Sequence, residues 1–261
     1  MSITSPDFTA PMSSFTLFVW IWIGIACLTF LSLFSITAPY GRHQRTGWGI
    51  TIDNRLGWIL MEVISPLTLL FFFLTGSQPK SKVVWVLVGL WVLHYINRSL
   101  IFPFRLRTDG KRMPLSIALM AVFFNLVNGF INGYYWGHIA EPYSDAWLTD
   151  WRFIVGMGLF IVGAFVNIQS DEILLRLREN NPNTYKIPQG GLYGWISSPN
   201  YFGEMVEWLG FALMAWSLPA LAFALWTIAN LFPRAIANHQ WYLSKFTDYP
   251  PERKAVIPFI W

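Results

Sequence analysis

Charged side chains are scarce in this chain: Asp, Glu, Lys and Arg make up 12% of its 261 residues, about half the share of an ordinary soluble domain. A soluble protein of this length would need a charged skin around its core, and the residues for one are missing. Cysteine is nearly absent too. With Cys27 alone, an intramolecular disulfide and a cysteine-based zinc site are both excluded. There is no Gly-x-Gly-x-x-Gly or Gly-x-x-x-x-Gly-Lys-Ser/Thr run, so any nucleotide must be held by something other than a soluble βαβ unit. Met1–Thr16 holds no Lys or Arg; lacking a basic leader, the first apolar run is expected to be a retained span. No internal repeat, low-complexity tract or flexible linker divides the chain, which predicts one integral membrane domain over residues 1–261.

What is present is apolar and aromatic. Hydrophobic residues reach 54%, aromatics 18% with 15 Trp, and mean hydropathy is +0.43. Trp and Tyr gather at the lipid–water boundary of membrane proteins. Seven apolar segments are expected as helices: Phe15–Ile36, Leu56–Leu74, Val83–Phe104, Leu115–Trp136, Phe153–Ile168 with a polar extension, Tyr201–Trp216 and Leu218–Leu231. This is an all-α, polytopic membrane protein of seven transmembrane helices.

The net charge is +4, but the basic residues sit in short clusters between apolar runs, a pattern of membrane loops rather than of nucleic-acid binding. Arg42, Arg45 and Arg55 follow the first span; Arg105, Arg107, Lys111 and Arg112 follow the third. Arg176, Arg178 and Lys186 follow the fifth, and Arg234, Lys245, Arg253 and Lys254 lie toward the C-terminus. Opposite loops carry Glu141, Asp145 and Asp150, with Lys80 and Lys82 of basic sign. The positive-inside rule predicts an outside N-terminus and a cytoplasmic C-terminus.

An ionisable group at membrane depth costs about 2.5–3.5 kcal/mol, so it usually faces a partner or a cavity. Glu62, inside Trp58–Ile64, is open between pairing with an arginine and serving as an acid in a substrate cavity. Tyr95, beside His94, is open between an interfacial aromatic and a phenolic donor. Asn167, Asp171 and Arg178 share one helical face by their spacing, as do Asn200 and Glu204, and Arg234, Asn238 and Tyr242. Such faces enclose a large polar ligand, arginines to phosphates and carboxylates or amides to ribose and bases, or else form a rim of helix-end charges.

These residues resemble the steroid 5α-reductase (3-oxo-5α-steroid 4-dehydrogenase) family. The resemblance is carried by Asn167-Ile-Gln-Ser-Asp171, Tyr185-Lys-Ile-Pro-Gln-Gly-Gly-Leu, Asn200-Tyr-Phe-Gly-Glu204, Glu207-Trp208, Trp216-Ser-Leu-Pro-Ala-Leu-Ala-Phe-Ala and Asp248-Tyr-Pro with Arg253-Lys254. Upstream it continues in Tyr40-Gly-Arg-His43, His94-Tyr95, Arg98, and Asn128-Gly with Asn132-Gly-Tyr-Tyr135. It implies NADPH-dependent reduction of the Δ4 double bond of a 3-oxo-Δ4 steroid of the progesterone or testosterone type, with Glu62 and Tyr95 at the steroid carbonyl. It assigns the cofactor to Asn167, Asp171, Arg178, Tyr185, Asn200, Glu204, Arg234 and Tyr242, with Arg42 and Arg112 from earlier loops. On that pattern residues 15–104 contribute the steroid site and residues 147–261 most of the NADPH site, without metal or nucleic acid. Met61 stands where the family often has Gln, and Asn238 where close relatives have His. The expected setting is a bacterial inner membrane, for a bacterial homologue, or the endoplasmic reticulum. The rivals are a membrane methyltransferase using S-adenosylmethionine, a sterol-nucleus double-bond reductase, and a multipass lipid transporter or receptor.

Overall fold

The computed structural model describes residues 13–43, 45, 47–106, 110–177 and 185–261. Among the described residues eight α-helices follow one another: α1 (Ser14–Ser35), α2 (Asn54–Thr75), α3 (Lys82–Ile96), α4 (Phe102–Arg105), α5 (Leu115–Tyr134), α6 (Trp151–Leu177), α7 (Pro199–Ala215) and α8 (Leu218–Lys245). A π turn, Asn97–Ile101, joins α3 to α4, and a second, Tyr135–Ile139, extends α5. Pro103 accounts for the first. It has no N–H to offer the preceding turn, and the ladder widens so that Phe102 N–H reaches Asn97 O.

Among the described residues, six helical stretches are long and apolar enough to cross a membrane: Ser14–Ser35, Asn54–Thr75, Lys82–Arg105, Leu115–Ile139, Trp151–Leu177 and Leu218–Lys245. The expected sixth crossing corresponds to α7, which is 17 residues long and is not one of them. Pro199 opens α7 and Trp216 closes it at φ 42°, a left-handed turn that stops the helix before Ser217 caps α8. The seventh expected segment is also too short. Helix α8 runs on from Leu231 to Lys245 as a polar extension bearing Arg234, Asn238 and Tyr242.

The all-α expectation needs one amendment. Strands β1 (Thr51–Asp53) and β2 (Arg112–Pro114) pair antiparallel, with Thr51 opposite Pro114 and Asp53 opposite Arg112. Asp53 then caps α2 by accepting from Leu56 N–H at 2.9 Å. This ribbon fastens the loops that open α2 and α5 to each other.

Small residues set the helix pairing. Gly129, Gly133 and Gly137 recur every fourth residue, and a Cβ at any of them would overlap the α2 backbone at Ser65, Leu69 or Phe72. On α6 and α7, Gly156 meets Gly210, and Gly163 meets Gly203, by the same close approach. Between these pairs lies an aromatic core of Trp91, Tyr95, Trp208, Phe211 and Phe223. Helix α1 runs parallel to α8, Trp22 against Trp226 and Phe30 beside Phe232. Outward faces are apolar, as with Leu28 and Leu31 on α1 and Ile161 and Phe165 on α6.

Candidate active site

The ends of α2, α4, α6, α7 and α8, with the loops around Tyr40 and Tyr193, enclose a cavity of about 280 Å³. It lies at the end of the bundle where the arginine-rich loops gather. Seven expected cofactor residues line it: Arg42, Arg112, Asp171, Tyr185, Asn200, Glu204 and Arg234. Arg178 lies outside the described residues.

Helices α6 and α7 carry the polar floor. Asn200 Nδ2 donates to Asp171 Oδ1 at 3.0 Å, and Asn167 Nδ2 donates to Asn200 O at 2.9 Å and to Glu204 Oε2 at 3.4 Å. Asn167 is buried behind the wall and does not line the cavity; its amide orients Asn200 and Glu204. The glycine contact between Gly163 and Gly203 brings the two helices near enough for these bonds.

Arginines play three different parts. Arg42 lies over the rings of Tyr242, Trp241 and Tyr185, 4.6, 5.0 and 5.8 Å from their centroids, and its Nη1 is buried with no hydrogen-bond partner among the described residues. Tyr242 acts from behind as the platform, itself stacked on Tyr249. Arg234 already donates to Tyr201 Oη, Ala38 O and Tyr40 O, so it braces the Ala38–Tyr40 segment against α8. Arg112 is pinned by its Nε to Thr51 Oγ1 at 2.8 Å.

The groups expected at the steroid carbonyl sit further along α2 and α3, and neither lines the cavity. Arg98 connects Glu62 to it. Its Nη1 lies 3.3 Å from Asp171 Oδ2 and its Nη2 3.9 Å from Glu62 Oε1, while its guanidinium faces Trp58 and Phe102 at 5.0 Å each. The π turn created by Pro103 carries Arg98 and presents it there. Tyr95 is buried and donates from Oη to Asn125 Oδ1 at 3.2 Å; Asn125 Nδ2 in turn donates to Met61 O at 2.6 Å. Met61 therefore contributes its backbone carbonyl to this chain of bonds, and its side chain packs with Met113 and Ala118.

Asn238 also gains a place. It lines the cavity, its Oδ1 pairs with His43 Nε2 at 3.0 Å, and its Nδ2 donates to Ser198 Oγ at 3.3 Å. Burial, with the charges of Arg234, Arg42 and Arg45, holds His43 below the ordinary histidine value against that bond. Burial raises the phenols of Tyr40 and Tyr193 above the ordinary tyrosine range. The Asp248-Tyr-Pro and Arg253 stretch has a structural task. Arg253 is buried and donates to Pro188 O and Gln189 Oε1, holding the cavity's outer loop in place.

Sequence reasoning gave Arg98 no role, although a charge inside an apolar run was signal enough. It also missed Tyr40, Trp58, Tyr193, Ser198 and Tyr201 in the wall. Of these, Tyr193 leaves no trace in spacing or charge.

Residues 111–261 match the family model described as 3-oxo-5-alpha-steroid 4-dehydrogenase. The chain is 46% identical to steroid 5-alpha-reductase DET2 of Gossypium hirsutum over 91% of its own length and 93% of the relative's. It is 40% identical to the DET2 protein of Solanum lycopersicum, covering 97% and 100%. Against 3-oxo-5-alpha-steroid 4-dehydrogenase 1 of Homo sapiens it is 39% identical, covering 90% and 91%. Together with six membrane-length helices, these likenesses describe an integral, multi-pass membrane protein. The chain belongs to the 3-oxo-5-alpha-steroid 4-dehydrogenase family.

Proposed function

We propose that this protein reduces the Δ4 double bond of 3-oxo-Δ4 steroids to 5α-3-oxosteroids, using NADPH. The observation that supports this most is Arg98, one guanidinium between Asp171 of the polar cavity and Glu62 at depth. It sets the group expected at the carbonyl beside the chamber suited to a dinucleotide.

The chamber's residues fit that cofactor. Arg42 offers a buried N–H on an aromatic platform, unpartnered among the described residues, and an acceptor such as a phosphate oxygen satisfies it. Lys111 and Arg112 add positive charge at the rim. Asp171, Asn200 and Glu204 suit ribose hydroxyls and a carboxamide, while Asn167 and Tyr242 hold their neighbours in place. Arg234 shapes the wall through Tyr40, and Tyr185 forms one edge of the Arg42 platform. Bound there, the cofactor would supply a hydride for the enone β-carbon.

Glu62, as the neutral carboxylic acid, and Tyr95 donate hydrogen bonds to the 3-oxo oxygen and stabilise the enolate that develops there, after which a proton adds at the α-carbon. Such donors gain strength in a dry site, where removing one costs about 10²–10³ in kcat. For Tyr95 this exchanges one acceptor, Asn125 Oδ1, for another. Residues 15–104 thus serve the steroid and residues 147–261 most of the NADPH, with Arg42 and Arg98 crossing that division.

Helix α7, about 26 Å long at the usual rise, also crosses, alongside α6, and brings the crossings to seven. Seven crossings put the N-terminus outside and leave the arginine-rich cavity end in the cytoplasm. Purified protein in detergent is expected to oxidise NADPH only when given progesterone, testosterone or a similar enone. Oxidation without steroid dependence, or none with any 3-oxo-Δ4 steroid, contradicts the proposal.

A further inference from the structure

The cavity that Arg42 lines holds a second buried donor without a partner among the described residues. Gly190 and Gly191, at φ 90° and 53°, form a left-handed turn that favours glycine, and the chain then folds into a short 3₁₀ turn, Gly191–Gly194. That turn carries Tyr193 into the wall, where the residue is 1% exposed. Its Oη, like Arg42 Nη1, is buried and has no hydrogen-bond partner among the described residues.

Two buried donors without acceptors in one cavity are uncommon, because each gives up hydration and receives nothing in return. Arg42 can only donate. Burial keeps the Tyr193 phenol protonated, so it too is a donor at any physiological pH, and the Arg42 charge acts on it. The missing partner is therefore an acceptor, and an anionic oxygen suits a guanidinium and a hydroxyl in one cavity.

We propose that the Tyr193 hydroxyl, in the cavity that Arg42 also lines, donates a hydrogen bond to a phosphate oxygen of the dinucleotide cofactor. This rests on the cofactor reading above and adds a binding residue to it. The phosphate belongs either to the pyrophosphate bridge or to the ribose of NADP⁺, and the two sources respond differently to a change of nucleotide.

The test is equilibrium binding of NADP⁺ and NAD⁺ to the purified full chain and its Tyr193→Phe variant, with the thermal midpoint of each measured without ligand. A lost hydrogen bond to a charged group corresponds to roughly a tenfold fall in NADP⁺ affinity. The ligand-free midpoint stays or rises, since Phe removes an unpaired buried hydroxyl. Equal loss toward NAD⁺ assigns the pyrophosphate, and loss confined to NADP⁺ assigns the ribose phosphate. Unchanged affinity for both nucleotides, or a lowered ligand-free midpoint, overturns the proposal. Wild-type protein that binds neither nucleotide overturns the cofactor reading, and this inference with it.

Discussion

Ion pairs occur at both ends of the bundle, and they differ in kind. Away from the cavity, Lys82 meets Asp145 at 2.7 Å, with side chains 74% and 63% exposed. At the cavity end, Arg98 stands 3.3 Å from Asp171 and 3.9 Å from Glu62, with none of the three side chains more than 15% exposed. The shorter contact is the weaker one. Water already solvates Lys82 and Asp145 separately, and salt screens what attraction remains. Around Arg98 there is little water to replace a lost partner, so removing its charge strands the Asp171 carboxylate. Burial, rather than distance, decides which charges the fold depends on.

Replacing the two cations breaks this contrast most directly. Arg98→Met should destabilise the protein by about 3–5 kcal/mol, measured by thermal or denaturant unfolding in detergent. Lys82→Met should leave the midpoint unchanged; equal losses in both variants would remove the distinction. Next in size are Glu62→Gln and Tyr95→Phe, each expected to lower kcat on a 3-oxo-Δ4 steroid by about 10²–10³ while the chain stays folded. Turnover that persists in both takes them out of the chemistry.

A smaller effect sharpens the electrostatics of the cavity rim. Burial and three nearby arginines hold His43 below its ordinary 6.5, so the folded state favours the neutral ring. Its contribution to stability is present above pH 6.5 and is lost as pH falls through the folded midpoint. Labelled His43 followed by NMR should titrate below 6.5, and a midpoint at or above that value contradicts the assignment.

The bundle was legible because apolar runs of membrane length have few other uses. The polar faces on α6, α7 and α8 were legible from four-residue spacing, and seven of ten expected cofactor residues do reach one cavity. Spacing does not reveal which donors are already spent. Arg42 and Arg234 look alike in sequence, yet Arg234 is committed to Tyr40 and Ala38 while one Arg42 nitrogen is unpartnered among the described residues. Strands of three residues are too short to show alternation, which hid the ribbon holding Arg112. The π turn was hidden for a different reason. Pro103 signals a disturbed ladder but not that the disturbance aims Arg98 at Asp171 and Glu62.

Tracing the hydride is the most direct test of the chemistry. With NADPH deuterated at the transferred position and a 3-oxo-Δ4 steroid, the product should carry one deuterium on the α face of the β-carbon, its ketone intact. A product deuterated at the former carbonyl carbon, or reduced product without deuterium, would contradict the account.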